Sequence, residues 1–185
     1  MQPAPSSAGR AESLAEFYSR VRAHTEYLCE PLEIEDYIPQ PVVDASPPKW
    51  NIAHTTWFFE EMILKSSIAD YKVFNPDFGF LFNSYYNSVG ERTARDHRSL
   101  SRPTVEEVFA YRKYVDEAML ELLSGPCSVR GTDDIGALVV LGLNHEQQHQ
   151  ELFVTDLKLT LSTNPLFPAY RENYTPEEIS ESGGG

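Results

Sequence analysis

The sequence is poor in cysteine and has no long apolar run. Cys29 and Cys127 are the only two cysteines in 185 residues. Two are too few for a disulfide framework and suit a reducing cytosol, although the sequence leaves one bridge between them open. No 18 consecutive residues are apolar, so no membrane-spanning helix is predicted. The first 13 residues lack the apolar run of a secretory signal, so we expect a cytoplasmic protein.

Positive charge is scarce as well. The chain has 15 Lys and Arg against 28 Asp and Glu, which gives a net charge of −13. Such a surface repels phosphate backbones and anionic lipids, so we expect binding neither to nucleic acid nor to a membrane. The hydrophobic fraction of 41% is nevertheless sufficient for a packed core, and the length favours one compact domain.

Apolar residues recur with the period of an α-helix in four segments, and no segment alternates convincingly like a β-strand. The first and third segments begin with capping boxes, in which Glu16 and Glu107 follow a hydroxyl residue by three positions. The four predicted helices start at Ser13, Ser46, Thr104 and Thr132, and they end near Pro31, Ile68, Leu122 and Ser162.

Four amphipathic helices with one shared core predict an all-α four-helix bundle. A long loop, residues 70–103, joins the second and third helices, and a loop of that length in a small domain is usually functional or contains a short element. We expect residues 1–12 to form a flexible N-terminal segment, residues 13–170 the bundle, and residues 171–185 a mobile tail.

Three histidines suggest a metal site. His145 and His149 are four residues apart in the fourth predicted helix, so both imidazoles project from one face and can reach a single ion. His54 lies on the apolar face of the second helix, where it is either a hydrogen-bonded core residue or a third ligand. Facing helices of a bundle build metal sites from inward side chains, which favours the ligand interpretation. Three imidazoles suit zinc, iron, copper or nickel and leave coordination positions open.

The same residues also match the H-E-x-x-H pattern of zinc proteases, in which Glu146 would be the general base. No third ligand is well placed downstream, because Glu151 points away from the histidine face and later acidic residues lie beyond the helix. No sheet is predicted to bind a peptide substrate either. We therefore interpret Glu146 and Glu151 as surface residues or as acceptors that orient a ligand histidine.

Several longer motifs point to a known family. In order, they are SPPKW at 46–50, AHTTWFFE at 53–60, FNSYY at 82–86, SRPT at 101–104, HEQQHQEL at 145–152 and NPL at 164–166. Together they resemble the N-terminal part of the ergothioneine-biosynthesis sulfoxide synthases (EgtB-like). The resemblance covers roughly residues 13–170, almost the whole chain.

The resemblance implies a DinB-like bundle in which His54, His145 and His149 hold a non-haem Fe(II); zinc or nickel can occupy such a site in a purified sample. In that family the iron activates O₂ to join a cysteine-containing thiol to the imidazole of trimethylhistidine. A glutamine holds the imidazole, and arginines hold a substrate carboxylate. The residues at the matching positions are Gln148 and the cluster Arg92, Arg95 and Arg98. Alternatively, Gln148 is an exposed helix glutamine without a role in binding, and the arginines belong to a solvated basic loop.

The chain departs from the family at two places. Asn51 stands where a histidine is common, so the surroundings of the metal site are expected to differ. The family also continues into a domain like the formylglycine-generating enzyme, which supplies the catalytic tyrosine. We therefore expect activity to need a partner chain with that domain. The alternatives are a homodimeric, stand-alone thiol transferase and a metal-binding bundle without catalysis.

Overall fold

The computed structural model describes residues 12–84, 93–125 and 132–171. Four long helices make up most of it, and no β-strand occurs in these ranges, which confirms the all-α bundle. None of the helices described there is both long and apolar enough to cross a membrane. The helices are α1 (Leu14–Cys29), α2 (Pro48–Phe59), the short α3 (Phe78–Leu81), α4 (Val105–Ser124) and α5 (Thr132–Ser162).

The two capping boxes are present as predicted. At the start of α1 the Ser13 backbone N–H donates to the Glu16 carboxylate at 2.7 Å, and the Glu16 N–H donates back to Ser13 Oγ at 3.2 Å. Thr104 and Glu107 make the same pair of bonds at the start of α4. Each box satisfies two backbone donors that the first turn leaves free, so local sequence alone defines these helix starts.

The start and the surroundings of α2 differ from the prediction. Pro47, not Ser46, is the N-cap, and all twelve residues of the helix are buried. The helix packs against α4, α5 and the 3₁₀ turn Ile34–Tyr37, so it is the central helix of the bundle rather than one with a single apolar face. A π-helical turn at Glu60–Leu64 and a short helical stretch at Lys65–Ser67 carry it on to the predicted end.

The long loop after α2 contains short elements, namely α3 and a 3₁₀ turn at Arg95–His97. A buried carboxylate anchors its first part: Glu60 accepts hydrogen bonds from Tyr71 Oη at 3.1 Å and from the Phe74 N–H at 3.0 Å. Tyr111 Oη on α4 donates to the same carboxylate at 2.7 Å. The loop therefore follows a fixed path to Phe82, whose carbonyl oxygen contacts the candidate site described below.

Gly142 sets the distance between α5 and α2. A Cβ atom there would lie 2.8 Å from ring carbons of both Phe58 and Phe59, which are themselves buried. Since His145 follows one turn later, this close approach also brings the α5 histidines to α2.

We predict that Gly142→Ala destabilises the fold relative to Gly136→Ala. Both glycines lie in α5 and gain the same helix propensity, but a Cβ at Gly136 would meet nothing within 4 Å. The two free energies of unfolding, measured in urea, should differ by about 1–3 kcal/mol, which is the usual cost of overpacking. Equal values would mean that the two phenylalanine rings move aside without strain.

Candidate metal centre

The three predicted histidines meet between α2 and α5. His54 extends from α2 and His145 and His149 from α5, and one ring nitrogen from each lies within 4.8 Å of the others. The ring centroids are 5.0 Å apart for His54 and His145, 4.8 Å for His54 and His149, and 4.6 Å for His145 and His149. This group could hold one metal ion.

The orientation of the His54 ring is fixed on several sides. Its Nδ1 lies 2.7 Å from the Phe82 carbonyl oxygen. A carbonyl oxygen only accepts, so Nδ1 carries the proton and Nε2 keeps the lone pair that a metal needs. Trp50 and Trp57 stack on the imidazole at centroid distances of 4.5 and 5.5 Å, each at an angle of 14°.

His145 differs from its two neighbours. Its Nδ1 is buried, and no side chain or backbone group in the described ranges forms a hydrogen bond with it. The ring packs against Phe58 at 5.2 Å. A buried polar atom without a partner costs free energy, and ligation would give the ring a polar partner. The donor set and this atom therefore fit a divalent metal.

The histidines are neutral, which is the form that binds metal. Burial, reinforced by His149 and His145, holds the pKa of His54 well below its usual value. Burial, followed by the charge of His145, lowers the pKa of His149 to about 3, and burial also lowers the pKa of His145. All three rings are thus ready to coordinate at neutral pH without first losing a proton.

A cavity of about 280 Å³ opens beside the three histidines. Arg98 is buried in its wall, donates to Ser46 Oγ at 2.8 Å and to Ser84 Oγ at 3.0 Å, and stacks on Trp50 with its guanidinium carbon 3.5 Å from the ring centroid. Arg98 is therefore held rigidly in the cavity.

The other predicted substrate-binding residues are placed differently. Arg95 also lines the cavity, but it is exposed and donates to the Asp44 carbonyl oxygen at 2.9 Å. Gln148 is exposed at the mouth of the same cavity. Arg92 lies outside the described residues. Of the two arginines of the cluster that the structure describes, Arg98 is the one with a buried side chain next to the histidines.

Comparison with known families agrees with this architecture. The family model of the DinB superfamily matches residues 18–153, well over half of the chain. The chain belongs to the DinB superfamily. The match includes His54, His145 and His149, so the whole candidate centre lies inside the DinB domain. No curated protein matches the sequence.

Glu146 of this DinB domain is not a surface residue, and none of its hydrogen bonds goes to a histidine. Its side chain is fully buried; Oε1 accepts from Thr25 Oγ1 at 2.6 Å and from Arg112 at 2.8 Å, and Oε2 accepts from Arg22 at 2.9 Å. The sequence-based interpretation of Glu146 was therefore wrong. With both oxygens bound in this way, the carboxylate is not placed to act as a general base beside the histidines. Glu151 is exposed, as expected.

Part of α5 next to the two histidines is exposed. Leu141, four residues before His145, is 55% exposed, and Leu152, three residues after His149, is 43% exposed. Leu152 and Gln148 lie at the rim of the cavity. One side of the centre therefore faces outward, which gives a small molecule a route to the three histidines.

Proposed function

We propose that this DinB domain binds Fe(II) through His54, His145 and His149 and forms the metal-binding half of a sulfoxide synthase. The reaction would join a cysteine-type thiol to the imidazole of trimethylhistidine with O₂. The observation that carries the proposal is the meeting of three neutral histidines beside a cavity that contains a buried arginine. The motifs shared with the ergothioneine-biosynthesis enzymes supply the choice of metal and substrates.

The residues of the chain would bind and orient the substrates. When bound, the metal would supply the redox chemistry with O₂ at the positions that three protein ligands leave open. Arg98, held in the cavity wall by Ser46 and Ser84, would attract a substrate carboxylate through its buried guanidinium. Gln148 at the cavity mouth can donate to or accept from an imidazole ring. The remaining part of the reaction site would come from a domain like the formylglycine-generating enzyme.

The function can be tested by complementation. The iron-loaded chain is mixed with a separately produced domain of that type, together with cysteine, trimethylhistidine and O₂, and the coupled sulfoxide is sought by mass spectrometry. We expect product only when both proteins and O₂ are present. No product with any partner domain would count against the proposal. Thiol transfer to an electrophile by the chain alone, without O₂, would favour the stand-alone transferase.

We predict that Arg98→Lys weakens cysteine binding to the Co(II)-loaded chain by roughly 10- to 100-fold. Lysine cannot reproduce the paired donors of a guanidinium group. A hydrogen bond to a charged group contributes about 1.5–3 kcal/mol, which sets the size of the expected effect. The sulfur-to-metal absorption band reports binding. Cysteamine has no carboxylate, so its affinity should be the same in wild type and variant. Arg95→Lys is the matched control at an exposed position. A larger effect at Arg95 than at Arg98 would contradict the assignment.

A further inference from the structure

Asn51 makes a set of contacts that its residue type alone does not predict. It is 3% exposed in the first turn of α2, three residues before His54. Its side-chain oxygen lies 2.8 Å from Nδ1 of His149 on α5. Its amide nitrogen donates to the carbonyl oxygens of Ser46 at 3.1 Å and Pro47 at 3.4 Å. The residue therefore connects the segment before α2 to a histidine of the candidate metal centre.

These contacts determine which way the Asn51 amide points. A side-chain amide has one oxygen that accepts and one nitrogen that donates. The carbonyl oxygens of Ser46 and Pro47 can only accept, so the nitrogen faces them and the oxygen faces His149. The facing nitrogen of His149 must then be the donor, which places the ring proton on Nδ1 and leaves the lone pair on Nε2.

We propose that Asn51 is a positioning residue that selects the Nδ1–H tautomer of His149 and thereby makes Nε2 its metal-binding nitrogen. This inference rests on the proposed metal centre but not on the proposed reaction. For His54 the tautomer is set by the backbone carbonyl of Phe82. A substitution at residue 82 changes the side chain but keeps this carbonyl. Asn51 is thus the place where a side-chain change can alter the tautomer of a ligand without touching the ligand.

Two variants separate the tautomer effect from a structural effect. Asn51→Leu removes the acceptor for His149 and the donor to the segment before α2. Asn51→Asp keeps an acceptor for His149 but loses the donations to Ser46 and Pro47. If Asn51 only ordered that segment, the two variants would behave alike. If it sets the tautomer, Asn51→Asp should resemble the wild type. Asn144→Leu, at an exposed asparagine of α5, is the matched control.

The tautomer is read directly from the metal-free chain by long-range ¹H–¹⁵N NMR of its histidines, with His149 assigned through His149→Gln. We expect the Nδ1–H form in the wild type, Asn51→Asp and Asn144→Leu, and its loss in Asn51→Leu. The Co(II) affinity of Asn51→Leu should fall by about 10- to 100-fold, as is usual when a partner of a metal ligand is removed.

Two results would overturn the inference: a proton on Nε2 of His149 in the wild type, or an unchanged tautomer and affinity in Asn51→Leu. The first needs no variant, so it decides the matter even if Asn51→Leu fails to fold. Absence of Co(II) binding to a wild type with the expected Nδ1–H tautomer would instead overturn the proposed metal centre. The two failures are therefore distinguishable.

Discussion

Replacing His54 by alanine should lower the affinity for Fe(II) at least about 100-fold. Loss of a partner that merely orients a metal ligand already costs about 10- to 100-fold, and loss of the ligand itself should cost more. His54 is also the one member of the group that α2 contributes. Without it, the metal would be held by two side chains of a single helix.

An anaerobic Fe(II) titration of the wild type beside His54→Ala measures this effect. The wild type should bind one ion per chain, and His24→Ala, at an exposed histidine of α1 that stacks on Tyr27 away from the centre, should bind equally well. The thermal unfolding of the metal-free proteins checks that the variant folds. Binding that survives in His54→Ala would place the third ligand elsewhere and weaken the likeness to the ergothioneine-biosynthesis family at its centre.

The parts of the fold that depend on residues close together along the chain were predictable from the sequence. The starts of α1 and α4 followed from two capping boxes, and the length of α5 followed from its periodicity. The pairing of His145 and His149 followed from helix geometry in the same way. In each case the deciding interactions lie within a few residues along the chain.

The surroundings of α2 were mispredicted because its polar residues find distant partners. Lys49 donates to the carbonyl oxygens of Leu100 and Pro103. Thr56 Oγ1 accepts from Arg22, 34 residues away along the chain. A polar residue in a helical pattern suggests a face in water, but here the polar groups are satisfied inside the protein. Periodicity therefore detects the helix and fails to show that it is central.

The candidate site was predictable to a similar extent. Its three histidines came from spacing and resemblance, whereas the choice of Arg98 over Arg95 depends on the folding of an irregular loop, which no periodicity describes. The role of the Phe82 carbonyl left no trace in the sequence, since any residue has a carbonyl. Asn51 did leave a signal, because it stands where the ergothioneine-biosynthesis enzymes that the sequence resembles commonly have a histidine.

The second large effect is expected at Glu146, which lies between the two α5 histidines in sequence. Burial alone would raise the pKa of this carboxyl, but Arg112 and Arg22 hold it at about 2, so the group is ionised at neutral pH. Arg22 also bonds to Asp116 at 2.6 Å, and Thr25 completes the set. One buried carboxylate on α5 thus links this helix to α1 and α4.

Glu146→Gln should destabilise the fold by about 3–5 kcal/mol, the usual cost of removing one partner from a buried ion pair. The amide keeps the size of the side chain but leaves two buried guanidinium groups short of negative charge, and its own NH₂ faces donors. Urea unfolding at neutral pH measures the change. Glu151→Gln, at an exposed position on the same helix, should stay within about 0.5 kcal/mol of the wild type.

The same variant separates the two interpretations of the H-E-x-x-H pattern. A general base of a zinc protease faces solvent and substrate, so replacing it would abolish turnover and leave the unfolding free energy nearly unchanged. If Glu146 is instead a buried anion that joins three helices, its replacement should greatly lower the free energy of unfolding, although the three histidines stay unchanged. Because Arg22, Arg112 and Thr25 already occupy both oxygens of Glu146, we expect the loss of stability.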